Sequence, residues 1–470
     1  MNAQAVFTAM LPEHLLLLGM VLLVCVEIAG RGRRAVLSVA LLSVGAAAAA
    51  AAWLALTGYS AAPFAGQFSV SPGPLLAKAM VLALALPVIL IAGDDFGPDE
   101  EHGGEFAILL LSSLYGVCLM QSADSFLTLF LGLEIMSLPV YVLVLLAWRR
   151  PQAAEAALKY LVLGGAATAT LLMGASLLYG ATGSLAIATF AEALASSNPL
   201  AKTAVVLVIL AFFLKAAIVP FHAWAPDAYE GASVPVTAFM AVIVKAAVLL
   251  AAVRLFGNAT LLSPVLELVA VLPLVSIVWG NLAAMRQLSL RRMIAYSSIA
   301  HAGYLFLAFL GDPAGRLQAV AFYLLAYGAL NLLVFTALPP AADDSARDRL
   351  ENLKGLFHRA PFAALMIGLA MLSLAGIPPL PGFVAKFLIF KNVIAAGHVT
   401  YGVLGLVGSF LGIYFYLRVI QFMFMSPDAA VPAPVPNHGP VRRVAVAASV
   451  ACLIVAMAVA VFPGWVMGRF

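Results

Sequence analysis

Four ionisable side chains stand inside apolar stretches: Glu134 in FLGLEIMSLP, Lys215 in AFFLKAAIVP, Lys245 in AVIVKAAVLL and Lys386 in PGFVAKF. At a helical rise of about 1.5 Å per residue, Glu134 and Lys245 lie about 15 Å from the nearest polar boundary. Lys215 is deeper in its stretch, and Lys386 falls in the second half of one interrupted by prolines. A charge at such depth costs roughly 2.5–3.5 kcal/mol on insertion scales, so it marks a functional path by default. The chemistry open to this set is proton exchange. An ammonium in apolar surroundings gives up its proton more readily than one beside a carboxylate. A set of permanently paired structural charges is the competing reading.

Three further groups belong to the same inventory. His301, in MIAYSSIAHAGYLF, is expected near mid-depth, where an imidazole relays protons near neutral pH or makes ordinary core hydrogen bonds. His222 follows Pro220 at the end of a broken stretch, which suits proton uptake or a helix cap. Lys159 and Glu155 are spaced i,i+4 in EAALKY, so a same-face ion pair is expected there. His14, His102, His358, His398 and His438 lie near stretch ends or in loops and read as interfacial.

Two segments next to the lysines break the helical pattern: LKAAIVPFHAWAPDAYEGASVP at 214–235 and SLAGIPPLPGFVAKF at 373–387. Proline removes a helix hydrogen bond and clashes with the preceding turn. At membrane depth the freed carbonyls are tolerated where protein or a wet cavity satisfies them. Breaks at matching places in two halves point to a transport site.

The elements that must position these residues follow from composition. Of 470 residues, 64% are hydrophobic and 10% charged, against about 25% charged in ordinary soluble domains. With a mean hydropathy of +1.07, a soluble enzyme, a disordered chain and a nucleic-acid binder are excluded. The fold class is an all-α integral membrane protein forming a single polytopic domain over residues 1–470. Fourteen spans of about 20 residues each are expected, at 11–29, 35–57, 74–93, 105–122, 124–147, 155–180, 203–224, 235–256, 263–283, 291–310, 316–338, 361–391, 401–424 and 444–464. The breaks fall in spans seven and twelve, five apart. An odd number of spans per repeat turns the second copy over, which predicts two inverted five-helix repeats, spans 4–8 (105–256) and 9–13 (263–424). Three helices precede them (1–104), and a loop and helix follow (425–470). The opening residues lack a basic n-region, so 11–29 is expected to be retained. The Ala-rich run 46–52 offers a smooth packing face. Cys25, Cys118 and Cys452 lie far apart in apolar runs and read as small core residues.

Basic residues set the orientation. With the N-terminus outside, the inside loops hold Arg31, Arg33, Arg34, Arg149, Arg150, Arg286, Arg291, Arg292, Arg347, Arg349, Lys354, Arg359, Arg442 and Arg443. Outside are Lys78, Lys202, Arg254, Arg316, Lys391 and Arg469, and Arg418 joins the lysines within spans. Both termini are therefore expected outside. The acidic loop 94–105 does not disturb this, since acids contribute little to the rule.

Taken together, FLGLEIMSLPVYVL, EAALKYLVLGG, LKAAIVPFHAWAPDAYEGASVPVTAF, RRMIAYSSIAHAGY and SLAGIPPLPGFVAKF resemble the antiporter-like membrane subunits of respiratory NADH:quinone oxidoreductase (complex I). WAPDAYEGA, a lysine at Lys386 and the absence of a long lateral helix after span fourteen are most similar to the bacterial subunit N branch. The resemblance covers nearly the whole chain. It implies proton translocation coupled to electron transfer from NADH to quinone on other subunits. FMN, iron–sulfur clusters and quinone would sit on those partners, with none on this chain. Partners would be the other membrane-arm subunits and the lipid bilayer, with no nucleic acid, in the bacterial inner (cytoplasmic) membrane. By the resemblance, Glu134 pairs with Lys215, Lys245 is the central relay and Lys386 leads outside. Lys159 would modulate the Glu–Lys pair, and His222 and His301 would join the axis through water. A subunit of a multisubunit Na⁺/H⁺ antiporter or of a membrane-bound hydrogenase shares the pattern. A stand-alone solute permease and a purely structural spacer are further rivals.

Overall fold

The computed structural model describes residues 3–95, 103–147, 150–257, 259–339, 348–426 and 440–470. His102, His438, Arg149, Arg347 and most of the acidic loop 94–105 lie outside the described residues.

In chain order the membrane helices are α1 (Leu11–Ile28), α2 (Arg33–Leu56), α3 (Pro72–Asp95), α4 (Gly103–Gln121), α5 (Phe126–Leu145) and α6 (Ala153–Thr182). The first broken helix is α7 (Pro199–Ala216) with α8 (Trp224–Gly231), followed by α9 (Val234–Phe256). Then come α10 (Val265–Ala284), α11 (Leu290–Leu307) and α12 (Pro313–Ala337). The second broken helix is α13 (Pro361–Ala375) with α14 (Pro381–Ala395). The chain closes with α15 (Val399–Phe410), α16 (Ile413–Phe424) and α17 (Pro440–Val461).

Thirteen helical segments among the described residues are long and apolar enough to cross a membrane, α15 and α16 counting as one. The α13–α14 pair accounts for the remaining expected span. Three features differ from the sequence reading. The all-α expectation misses a hairpin, β1 (Ala61–Phe64) against β2 (Phe68–Val70), in the connection between α2 and α3. The first broken helix ends earlier than 203–224 implies, and its second half lies in what reads as a polar connection. Its charged residues conceal it, because Asp227 and Glu230 carry a half-helix that is not lipid-facing. Finally, the stretch 399–424 is itself interrupted after Phe410.

Helix starts follow local chemistry. Ser125 caps α5 by accepting from the Thr128 amide at 3.1 Å, and Asn198 caps α7 at the Leu200 amide, 2.9 Å, with Pro199 at the first helical position. The α4–α5 crossing depends on glycine. A Cβ on Gly116 would lie 2.3 Å from the Met136 nitrogen, and one on Gly132 2.7 Å from that of Met120. Such small-residue contacts let backbones touch where lipid gives no hydrophobic drive between helices.

Burial grades the bundle. Over an apolar eighteen-residue stretch of each helix, 100% of the residues in α9 and 94% of those in α11 and α12 are buried, against 28% in α1. The three buried helices form a central column, and apolar side chains such as Leu42, Leu172, Val407 and Phe462 face outward. Two residues assigned outside by the loop count are internal. Lys78 is fully buried in α3, 2.5 Å from Glu13 of α1, and Arg316 is buried against the carbonyls of Gly257, Ala259 and Phe309. Removing one partner of a buried pair costs on the order of 3–5 kcal/mol. Cys118 and Cys452 are buried as expected, but Cys25 is exposed.

Candidate functional site

The first pair forms where α5 meets the end of α7. Lys215 occupies the last turn of α7, where the chain breaks at Ala217 in the left-handed region (φ 60°). Its Nζ lies 3.7 Å from Glu134 Oε1. At that distance the two charges attract without a hydrogen bond. The ammonium instead donates to Ser137 Oγ at 3.2 Å and Tyr141 OH at 3.4 Å. Glu134 accepts from Thr168 Oγ1 of α6 at 2.5 Å. Both halves of the break are satisfied by side chains: Trp224 Nε1 donates to the Leu214 carbonyl at 2.9 Å, and the Val219 amide to Ser276 Oγ at 2.8 Å. Such partners take up backbone groups that a break frees at membrane depth.

Lys245 follows a π-helical turn, Met240–Val244, inside α9. Such turns insert one residue into the helical register and occur often at functional sites. The Lys245 ammonium donates to the Ser298 carbonyl of α11. Ser298 Oγ meets Tyr229 OH of α8 at 3.3 Å.

His301 lies one turn along α11, fully enclosed by tyrosines. Its Nδ1 is 2.7 Å from Tyr323 OH and its Nε2 3.1 Å from Tyr416 OH, which also meets Ser297 Oγ at 2.5 Å. The ring of Tyr304 stands edge-on to His301 at 5.4 Å and carries the Lys386 ammonium 5.2 Å from its centroid. Lys386 donates to the carbonyls of Leu374 at 3.0 Å and Ala375 at 3.2 Å, the last two residues of α13. A helix C-terminus carries partial negative charge that favours a cation there. Gly376 takes the turn at φ 90°, and a Cβ on it would press on Lys386 Nζ at 3.3 Å.

The remaining expected residues fall to the side of this line. His222 Nε2 accepts from Trp279 Nε1 at 3.0 Å, a contact on the bundle's flank. Lys159 pairs with Glu155 at 2.6 Å, as the i,i+4 spacing predicts, and with Asp227 of α8 at 2.7 Å. Its side chain is 44% exposed. The structure therefore puts Lys159 on the Asp227 carboxylate and not on the Glu134–Lys215 pair. Asp227 also takes Arg292 at 2.7 Å. Burial acts to raise the Asp227 carboxyl, and the hydrogen bonds from Lys159 and Arg292 outweigh it, holding the group below its usual range.

Sequence reasoning missed the hydroxyls. Tyr141, Ser137 and Thr168 meet the Glu134–Lys215 pair, Tyr229 meets Ser298, and Tyr304, Tyr323, Tyr416 and Ser297 gather around His301 and Lys386. One signal was present: Ser297, His301 and Tyr304 are spaced i, i+4, i+7 in α11, a polar stripe on a helix expected to be apolar. Among the described residues no group of three or more His, Cys, Asp or Glu side chains is placed to hold a metal ion.

The family described as NADH:quinone oxidoreductase/Mrp antiporter, transmembrane, matches residues 123–412. NADH-quinone oxidoreductase subunit N of Pelobacter propionicus is 39% identical over 90% of this chain and 90% of its own length. This chain belongs to that family. Subunit N of Laribacter hongkongensis is 36% identical over 88% of this chain and 87% of its own. A chain of respiratory complex I from Thermus thermophilus superposes with a TM-score of 0.82 at 36% identity, covering 97% of this chain and 98% of that one. A chain of the Mrp complex from Dietzia superposes as well (TM-score 0.81), but at 22% identity it shares the fold alone. The family match begins at Ala123 and ends at Gly412, so it encloses Glu134, Lys215, Lys245, His301 and Lys386.

Proposed function

We propose that this chain is the subunit N component of a proton-translocating NADH:quinone oxidoreductase, and that protons pass along the axis from Glu134 to Lys386. The observation that carries the reading is the row of buried ammonium groups, each held by a partner it can leave. Lys215 depends on Glu134 for its counter-charge, and moving that carboxylate away releases the Lys215 proton toward Lys245. Lys245 passes it through the Ser298–His301–tyrosine cluster to Lys386, water bridging where side chains do not meet. Return of Glu134 reloads Lys215. His222 acts as a flank group on the uptake side, and Lys159 acts on the pair indirectly, through Asp227.

Spans 4–8 and 9–13 are the two inverted repeats on this reading. The breaks at Ala217 and Gly376 support it, as do the π turn in α9 and the interruption after Phe410, which fall in corresponding spans. Both termini face the periplasm and the protein resides in the bacterial inner membrane. Electron transfer from NADH through FMN and iron–sulfur clusters to quinone takes place on partner subunits. This chain contributes only the proton path.

The test is pumping in membrane vesicles from cells carrying Glu134→Gln or Lys215→Met. Each lowers quinone-coupled proton uptake while the complex assembles. Native pumping in both variants refutes the reading.

A further inference from the structure

The eight residues of α8 touch the surroundings of two lysines. At one end the Trp224 indole stacks on Tyr160 of α6 (centroids 4.4 Å, planes 7° apart), and Tyr160 stands edge-on to Tyr141 at 4.6 Å, whose hydroxyl meets Lys215. Toward the other end Tyr229 OH meets Ser298, whose carbonyl takes the Lys245 ammonium. Between these contacts, on the outer side of the helix, lies a cluster of charges. Asp227 bridges Lys159 of α6 and Arg292 of α11, and Arg292 also reaches Glu230 at 2.9 Å. Arg150 donates to the Glu230 carbonyl at 2.6 Å. Just past α8, Arg291 donates to the Ala232 carbonyl at 2.8 Å and pairs with Asp348 at 2.8 Å. Glu155 completes the set of charges beside α8, through Lys159.

This arrangement is unusual for so short a helix. Eight residues make about two turns, too few to hold a position by intrinsic helix stability. Its placement is therefore set by what grips it. Across the break at 217–223 the Trp224 indole hydrogen-bonds the Leu214 carbonyl of α7, and the charges grip α8 along its outer side. Gly231 lies against α6 so closely that a Cβ would sit 2.5 Å from that of Ala156. A small rigid piece held by this grip, and touching Tyr160 on the Lys215 side and Ser298 on the Lys245 side, shifts both surroundings when the grip changes.

We propose that α8 is a lever held by the Asp227 carboxylate, which makes Asp227 and Arg292 positioning residues that set the Lys215 and Lys245 surroundings together. This rests on the proton-relay reading above and assigns that relay a control point outside it. Neither residue touches a relay lysine. The ionic grip supplies two arrangements, closed and loosened, of the kind through which coupling is carried in packed proteins. It also gives Lys159 a defined role, as half of the grip.

The experiment uses the assembled complex in proteoliposomes, with NADH-driven proton uptake and quinone reduction followed together so that their ratio is read. Asp227→Asn should lower the ratio by about twofold to thirtyfold, the range for residues on a coupling path. Asp227→Glu should restore most of it, because it keeps the charge. Arg292→Gln should reproduce the loss. The double variant Asp227→Asn/Arg292→Gln should be no worse than the poorer single, since both break one grip. A native ratio in Asp227→Asn, no rescue by glutamate, or additive losses in the double variant overturns the lever. If Asp227→Asn does not assemble, Tyr229→Phe carries the test. It keeps the ring and removes only the hydroxyl at Ser298, so a twofold or larger loss supports the lever and an unchanged ratio overturns it. The relay reading fails separately, if Glu134→Gln and Lys215→Met leave the ratio native. A loss in those two with none in Asp227→Asn and Tyr229→Phe removes the lever alone.

Discussion

Lys215 and Lys386 both stand beside an interrupted helix, at Ala217 and Gly376, yet they are held by different means. Lys215 has a carboxylate 3.7 Å away on another helix, plus two hydroxyls. Lys386 is held by two backbone carbonyls at the end of α13 and by the face of Tyr304. A carboxylate on a separate helix can move or take a proton. Helix-end carbonyls are fixed dipoles built into the backbone. The first site is therefore adjustable and the second constant, which suits a proton loaded under control and released from a site of fixed affinity. The neighbouring helices agree. α8, after the first break, is eight residues long and gripped by charges, while α14 runs fifteen residues and is stapled to α13 by the Gly382 amide donating to Ser373 Oγ at 3.0 Å.

The largest expected effect tests whether the second site exchanges protons at all. Lys386→Ala should lower pumping by about a hundredfold or more, the size seen when a proton-transfer group is removed. Lys386→Arg should fail as well, because arginine keeps its proton in proteins. Native pumping by Lys386→Arg would make Lys386 a fixed charge and end the relay at Lys245.

A smaller effect separates the two tyrosines. The Tyr141 hydroxyl accepts from Lys215, whereas Tyr304 offers Lys386 its ring while its hydroxyl accepts from Asn281 Nδ2 at 3.1 Å. Tyr141→Phe should cut pumping by about threefold, in line with loss of a hydrogen bond worth about 0.5–1.5 kcal/mol. Tyr304→Phe should stay within about twofold of native, since the cation–π contact survives. Equal losses would erase the distinction between the sites.

The breaks themselves differ by one atom. Ala217 holds a left-handed φ with a side chain, and Gly376 does so without one. Gly376→Ala should destabilise the purified complex by about 1–2 kcal/mol, the cost of left-handed backbone for an L-residue, with added pressure on Lys386. Ala217→Gly should be neutral or slightly stabilising. Thermal melting of the detergent-solubilised complex distinguishes them, and equal shifts would remove the difference in strain between the two turns.

A separate effect concerns the charges on the linkers. Asp348 is buried against Arg291 and Ser289. Burial alone would raise its carboxyl, but the Arg291 charge and hydrogen bonds bring it down to about 2. A lowered carboxyl contributes stability above its unfolded value of about 3.9 and loses it as pH falls through about 2. Unfolding followed from pH 6 downward should thus weaken below about pH 4, and Asp348→Asn should flatten that limb. An unchanged limb would place the acid sensitivity elsewhere.

Much of this was legible because lipid makes charge and proline conspicuous. Glu134, Lys215, Lys245, Lys386 and both breaks stand out against apolar neighbours, and composition alone gives the membrane class. What stayed hidden depends on partners distant in sequence or on backbone atoms. Glu13 and Lys78 are separated by 65 positions, and the Lys78 position near a span end reads as a loop. Lys245 and Lys386 are held by carbonyls, which every residue has and no sequence advertises. The tyrosines around His301 come from three helices, α11, α12 and α16, so no single stretch displays them. α8 was concealed because its charges serve neighbours and not water.

The π turn ahead of Lys245 fixes the rotational phase of α9. Its start is tied by Thr237 to the Tyr229 carbonyl at 2.7 Å, and its end by Arg254 to Asp124 at 2.5 Å. With 3.6 residues per turn, each residue advances the helix by about 100°. One residue removed between those anchors would swing either Lys245 off Ser298 or Arg254 off Asp124, since both cannot keep their bearing. Length is thus a fixed parameter along the axis of this bundle.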